Sequence, residues 1–201
     1  MRRAVLSVLL SLALPLGAWA QTTVEAGGVK FDTTTEVAGQ KLLLNGAGVR
    51  YRAIFKVYSV GFYLKAKADT PDGVIKQEGA KRVMLKMLRD VDGKELGKAF
   101  TDGMRKNAVA DERAKTINGI FKFGEIFNDM KRANSGSTIG VDWIPGTGAQ
   151  VVVDGKAVGE PIKEIEFYNA LLRIWLGDQP ADEDLKELLL GKEKRHSGRQ
   201  R

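Results

Sequence analysis

Residues 45–64 read Asn45-Gly46-Ala47-Gly48-Val49-Arg50-Tyr51-Arg52-Ala53-Ile54-Phe55-Lys56-Val57-Tyr58-Ser59-Val60-Gly61-Phe62-Tyr63-Leu64. Gly46 and Gly48 suggest a turn, because glycine takes backbone angles that other residues avoid. The run that follows is rich in β-branched and aromatic residues, which favours strand. Val49, Tyr51, Ala53, Phe55 and Val57 alternate on one face, against Arg50, Arg52, Ile54 and Lys56 on the other. Beyond Val57 both faces turn apolar, with Tyr58, Val60, Phe62 and Leu64 on the formerly polar side. A strand that begins half exposed and ends covered on both sides is a suitable floor for a ligand cleft.

Working outward, Val24–Val37 has strand character and Lys41–Leu44 pairs back after Ala38-Gly39. Thr70 caps a short helix that has Pro71 in its first turn. Lys81–Val91 is apolar on both faces and reads as a central strand. A helix over Asp92–Asn107 aligns Leu96, Phe100 and Met104. A longer helix, capped by Asp111 and reaching about Arg132, carries the stripe Ile117, Ile120, Phe121, Gly124, Phe127, Met130. Thr138–Ile144 alternates, with Ile139, Val141 and Trp143 inward and Thr138, Gly140 and Asp142 outward. Asp154-Gly155 marks a two-residue hairpin between Gln150–Val153 and Lys156–Val158. Pro161 begins a helix with Ile165, Tyr168, Leu172 and Trp175 buried, and Gly177 closes it. Asp182 caps the last helix. This order predicts an α+β fold, an antiparallel sheet with helices packed on one face.

Gly46-Ala47-Gly48-Val49-Arg50 and, after a short gap, Lys56-Val57-Tyr58-Ser59-Val60-Gly61-Phe62-Tyr63-Leu64 resemble the signature of the chalcone isomerase fold, in particular of bacterial chalcone isomerase-like proteins. Residues 167–177, FYNALLRIWLG, resemble the family's C-terminal helix and the glycine after it. The resemblance spans Val29 to Leu190 and implies an open-faced sandwich. It also implies that Arg50 sits in the ligand cleft. In the isomerases that arginine contacts the flavonoid; in the plastid fatty-acid-binding proteins it contacts the carboxylate with a tyrosine, which Tyr58 matches here. The isomerases carry a threonine at that place. Their helix presents Tyr-x-x-Lys-x-x-x-Asn, for which the best match is Phe100, Gly103 and Asn107. Only Asn107 is retained, as a ligand-contact candidate or as a plain helix end. Phe100 cannot move a proton, and Gly103 has no charge to stabilise an enolate.

Geometry sets a condition on this pairing. Eight residues of straight strand would separate Arg50 from Tyr58 by about 26 Å. Convergence on one carboxylate requires a bend or bulge near Ala53–Phe55.

The chain has 201 residues and a formal net charge of +7. Residues 1–20 have a signal-peptide pattern: Arg2 and Arg3, an apolar Val5–Leu16, then Ala18-Trp19-Ala20 before a cleavage site. This predicts export, most simply to a periplasm, and a mature domain over 21–191 with no membrane span. Residues 192–201 form a basic tail, expected to be disordered, that could touch anionic lipid. Arg2, Arg3 and this tail carry most of the excess charge, so no nucleic-acid groove is expected. Without cysteine there is no disulfide, thiolate metal site or cysteine nucleophile. His196 is the only histidine, so neither a Ser-His-Asp triad nor a histidine metal site is expected, and no cofactor.

The functional expectation is non-catalytic binding of a small amphipathic ligand, a fatty acid or aromatic acid, through Arg50, Tyr58 and Asn107. Two alternatives stand beside it. One is an isomerase (intramolecular lyase) acting on chalcone-like or enone substrates. The other is a structural or interaction protein with a closed cleft.

Overall fold

A computed structural model describes residues 22–192. The expected signal peptide (1–20) and nearly all of the basic tail lie outside the described residues. In chain order the strands and helices are β1 (Thr23–Ala26), β2 (Val29–Asp32), β3 (Thr34–Val37), β4 (Gln40–Arg52), β5 (Phe55–Leu64), α1 (Pro71–Ile75), β6 (Lys81–Met87), β7 (Val91–Asp92), α2 (Gly93–Lys106), α3 (Arg113–Asp129), β8 (Arg132–Ala133), β9 (Thr138–Ile144), β10 (Gly148–Val153), β11 (Lys156–Ile162), α4 (Ile165–Leu176) and α5 (Glu183–Leu189). Seven strands form one antiparallel sheet in the order β11-β10-β9-β6-β5-β4-β3. Strand β6 is central, as its two apolar faces predict, although it ends at Met87.

The 45–64 stretch folds differently from the single long strand its composition suggests. It is a hairpin of β4 and β5, turning at Ala53-Ile54. Ala53 adopts φ +53°, a left-handed conformation that costs a non-glycine residue about 1–2 kcal/mol. Gly46 and Gly48 are not at a turn but inside β4. Their missing side chains admit α5: a Cβ at Gly46 would run into the Leu188 carbonyl oxygen, and one at Gly48 would lie 2.6 Å from Leu185 Cδ1.

The helices cover one face of the sheet. Val60, Phe62, Leu64, Val83 and Leu85 meet Phe100, Phe123, Phe127, Phe167 and Trp175 there in the main core. The β1–β2 hairpin covers part of the other face, over a smaller core of Phe31, Leu42, Leu44 and Tyr63. Asp142 is therefore inside rather than outward, 5% exposed and held by Arg82 through two 2.6 Å hydrogen bonds.

Three helix expectations need correction. Helix α3 starts at Arg113, after a 3-10 turn at Ala110–Glu112, so Asp111 does not cap it. Its buried face is Thr116, Gly119, Ile120, Phe123 and Phe127, rotated from the expected stripe, which leaves Ile117 61% and Phe121 66% exposed. Pro161 lies in β11, an edge strand, where its lack of an N–H is tolerated, and α4 begins only at Ile165. The expected caps at Thr70 and Asp182 are in place, and Asp92 caps α2. Among the described residues no helix is long and apolar enough to cross a membrane.

Candidate functional site

The hairpin solves the distance problem between Arg50 and Tyr58. From the turn the pairs run Arg52 with Phe55 and Tyr51 with Lys56, and then Val57 bulges out of register. The bulge places Arg50 directly opposite Tyr58 instead of Val57. Direct cross-strand partners hold their Cβ atoms about 4.5–5.5 Å apart on the same face. Here that face is the one covered by helices.

Tyr58 is 4% exposed and forms the inner wall. Trp175 Nε1 donates to its oxygen at 3.1 Å. Its own hydroxyl proton has no acceptor among the described residues. Burial pushes its pKa up to about 12, against the lowering effects of the Trp175 hydrogen bond and the Arg50 charge. The phenol thus stays protonated at ordinary pH and remains a donor.

Arg50 sits nearer the mouth, its side chain 26% exposed. Its neighbour is Asp182, with 3.6 Å between Nη1 and Oδ2, and it makes no hydrogen bond among the described residues. Arg82 and Arg173 differ: each forks onto a carboxylate, Asp142 and Glu112 respectively, with two hydrogen bonds. Arg50 is a partly buried guanidinium with its donors uncommitted.

Both side chains line a cavity of about 370 Å³. Leu96, Ala99, Phe100 and Gly103 of α2 form one wall, and Ile174, Pro180 and Ala181 form another. Arg52, Lys106, Glu95 and Asp102 stand around it. The cleft is therefore open. Phe100 and Gly103, matched above to the isomerases' tyrosine and lysine, both face this cavity, which places an apolar ring and a bare backbone where proton transfer would need polar groups. A larger groove of about 850 Å³ lies on the other side of α2, beside Ile117 and Phe121, away from Arg50.

Asn107 does not line the cavity. Its amide nitrogen donates to the carbonyls of Gly103 and Gln179, both at 3.0 Å, and its oxygen accepts from Gln179 N at 2.8 Å. Of its two readings, these bonds fit the helix end rather than the ligand contact. Asn107 fastens the α4–α5 loop to the end of α2. The Gln179–Ala181 loop lines the cavity and Asp182, just after it, neighbours Arg50; neither was expected there. Only the capping signal of Asp182 was legible in the sequence, and its side chain does accept from Leu185 N at 3.1 Å.

A curled antiparallel sheet with helices on one face is a chalcone isomerase-type fold, and this one has an arginine–tyrosine pair at its cleft. The chain belongs to the chalcone isomerase-like family, whose sequence profile matches residues 23–191. Among solved structures it is similar to a fatty-acid-binding protein of Arabidopsis thaliana, AtFAP1, with a TM-score of 0.68 and 17% identity over 84% of this chain and 96% of that chain. At this identity the likeness concerns the fold. No curated protein sequence matches the chain.

Proposed function

We propose that this protein binds a small amphipathic acid, a fatty acid or aromatic acid, without chemical conversion, and that it does so in a periplasm. The observation that carries the reading is the pairing of Arg50 and Tyr58 at one cavity. A guanidinium with uncommitted donors and a phenol with a free proton converge there, beside Phe100 and Gly103. A carboxylate would take charge-assisted hydrogen bonds from Arg50 and one from the Tyr58 hydroxyl. Its apolar part would lie against Leu96, Ala99, Phe100 and Ile174. A volume of about 370 Å³ leaves room for a small amphipathic acid, for which decanoate serves as the probe. The family's fold supports a ligand role, as does the fatty-acid binding for which the structurally similar Arabidopsis protein is named. The signal-peptide pattern supports the location.

The test is native mass spectrometry of protein purified from periplasm, with lipid extraction, followed by decanoate titration. A bound acid is expected. Arg50→Ala should weaken decanoate by about 10- to 100-fold, the worth of hydrogen bonds to a charged group. No co-purified acid together with an unchanged affinity in Arg50→Ala would overturn the reading. A chalcone assay should show no turnover; turnover abolished by Arg50→Ala would establish the isomerase instead.

A further inference from the structure

Asp182 follows Ala181 of the cavity wall and lies beside Arg50, yet the pair is loose. At 3.6 Å it is an electrostatic contact outside hydrogen-bond range, unlike the forked Arg82–Asp142 pair at 2.6 Å. The two partners also differ in freedom. Asp182 is fixed by its surroundings: it caps α5 through Leu185 N. The loop leading to it is tied down by Asn107 on Gln179, by Ala181 N to Ile174 O at 2.8 Å, and by Lys186 Nζ to Gly177 O at 2.8 Å. The far end of α5 is held by Asn45 Nδ2 to Leu189 O at 2.7 Å. Arg50 has a long side chain and no hydrogen bond among the described residues to hold it.

We infer that Asp182 is a specificity-determining residue of this site, an internal carboxylate that holds Arg50 while the cavity is empty and yields it to an incoming acid. The inference rests on the ligand reading above. When an acid enters, Arg50 moves and Asp182 stays. The ligand's carboxylate can meet the guanidinium in forked geometry, which the fixed Asp182 does not achieve, so the exchange favours the ligand. The cost is a standing negative charge beside the bound head. Asp182 therefore lowers affinity for acids selectively and leaves neutral amphiphiles of the same shape unaffected. Its effect is to keep a charged ligand releasable.

The test compares the unaltered protein with Asp182→Asn, titrated with decanoate and with the neutral isostere decanamide. Asparagine keeps the capping oxygen, so α5 is retained. Decanoate should bind about three- to tenfold more tightly to Asp182→Asn, the range of a partly exposed ion pair with like-charge relief added. Decanamide affinity should not change. Decanoate binding that is unchanged or weaker in the variant, or an equal shift for both ligands, would overturn the inference while leaving the ligand reading intact. If the unaltered protein binds neither compound and the variant is equally inert, the ligand reading itself fails and this one with it.

Discussion

Lys81 offers a test of the core that does not involve the cleft. It lies on the central strand β6 at 2% exposure. Its ammonium donates to the Ile75 carbonyl at 2.6 Å and lies 5.9 Å from the Tyr168 ring centroid, with no carboxylate partner among the described residues. Burial pulls its pKa down from 10.5 to about 8. That drop corresponds to a penalty of roughly 3 kcal/mol on the charged form in the folded state. In the unfolded chain Lys81 keeps its proton up to about pH 10.5; in the folded protein it releases it near 8. Between these values the unfolded state binds more protons, so stability rises with pH. Integrated from pH 7.5 to 9.5, the gain is about 2 kcal/mol. Tyr58 and Tyr63 act in the opposite direction, but later. Burial raises both to about 12, so they hold their protons in the folded state after the unfolded chain has begun to lose them, and stability falls above pH 10. Lys81→Met removes the charge and keeps the stem. At pH 7 it gains about 3 kcal/mol from the absent buried charge and loses about 1–3 kcal/mol through the unsatisfied Ile75 carbonyl. The net change there is small, and the pH slope is the discriminating readout. Urea unfolding at pH 7.5 and 9.5 should show the gain in the unaltered protein and its loss in Lys81→Met. Equal slopes in the two proteins would refute a charged, desolvated Lys81.

Two further perturbations probe how the site is held. Gly46→Ala places a methyl group against the Leu188 backbone, so it should cost about 1–3 kcal/mol in urea unfolding; a neutral result would mean that α5 is not seated on β4. Asn107→Ala breaks three hydrogen bonds to Gly103 and Gln179 and should cost about 1–3 kcal/mol, without weakening decanoate more than decanamide, because it loosens the competing Asp182 and removes no ligand contact. A selective loss of decanoate would return Asn107 to the ligand set.

The two hairpins show why one turn was legible in the sequence and the other was not. Asp154 and Gly155 both adopt positive φ between β10 and β11, and Asp-Gly advertises that geometry. Ala53-Ile54 makes its turn without any such residue, against Ala53's own preference, because register across β4 and β5 and the packing of Tyr58, Val60 and Phe62 hold it. Tertiary packing overrode local propensity, and the strand read as unbroken. The phase of α3 was ambiguous for a related reason. Apolar residues occupy two overlapping stripes, and the choice is made by Gly119, where a Cβ would lie 2.8 Å from the Phe167 ring. Neither stripe's composition contains that contact.

The site divides along the same physical line. Arg50 and Tyr58 were recognisable through the family signature, but their convergence depends on the Val57 bulge, which leaves no mark in residue type. Helical geometry explains the different fates of Phe100, Gly103 and Asn107. Residues three apart share a face, so Phe100 and Gly103 both reach the cavity. Asn107 is four residues beyond Gly103, but α2 ends at Lys106, and as the capping residue it turns its amide to the exposed Gly103 carbonyl and the next loop. That loop carries Asp182 to Arg50. The asparagine thus acts on the cleft at one remove, by fixing the carboxylate that competes with the ligand, and its spacing in the sequence records a helix end that the fold uses as an anchor.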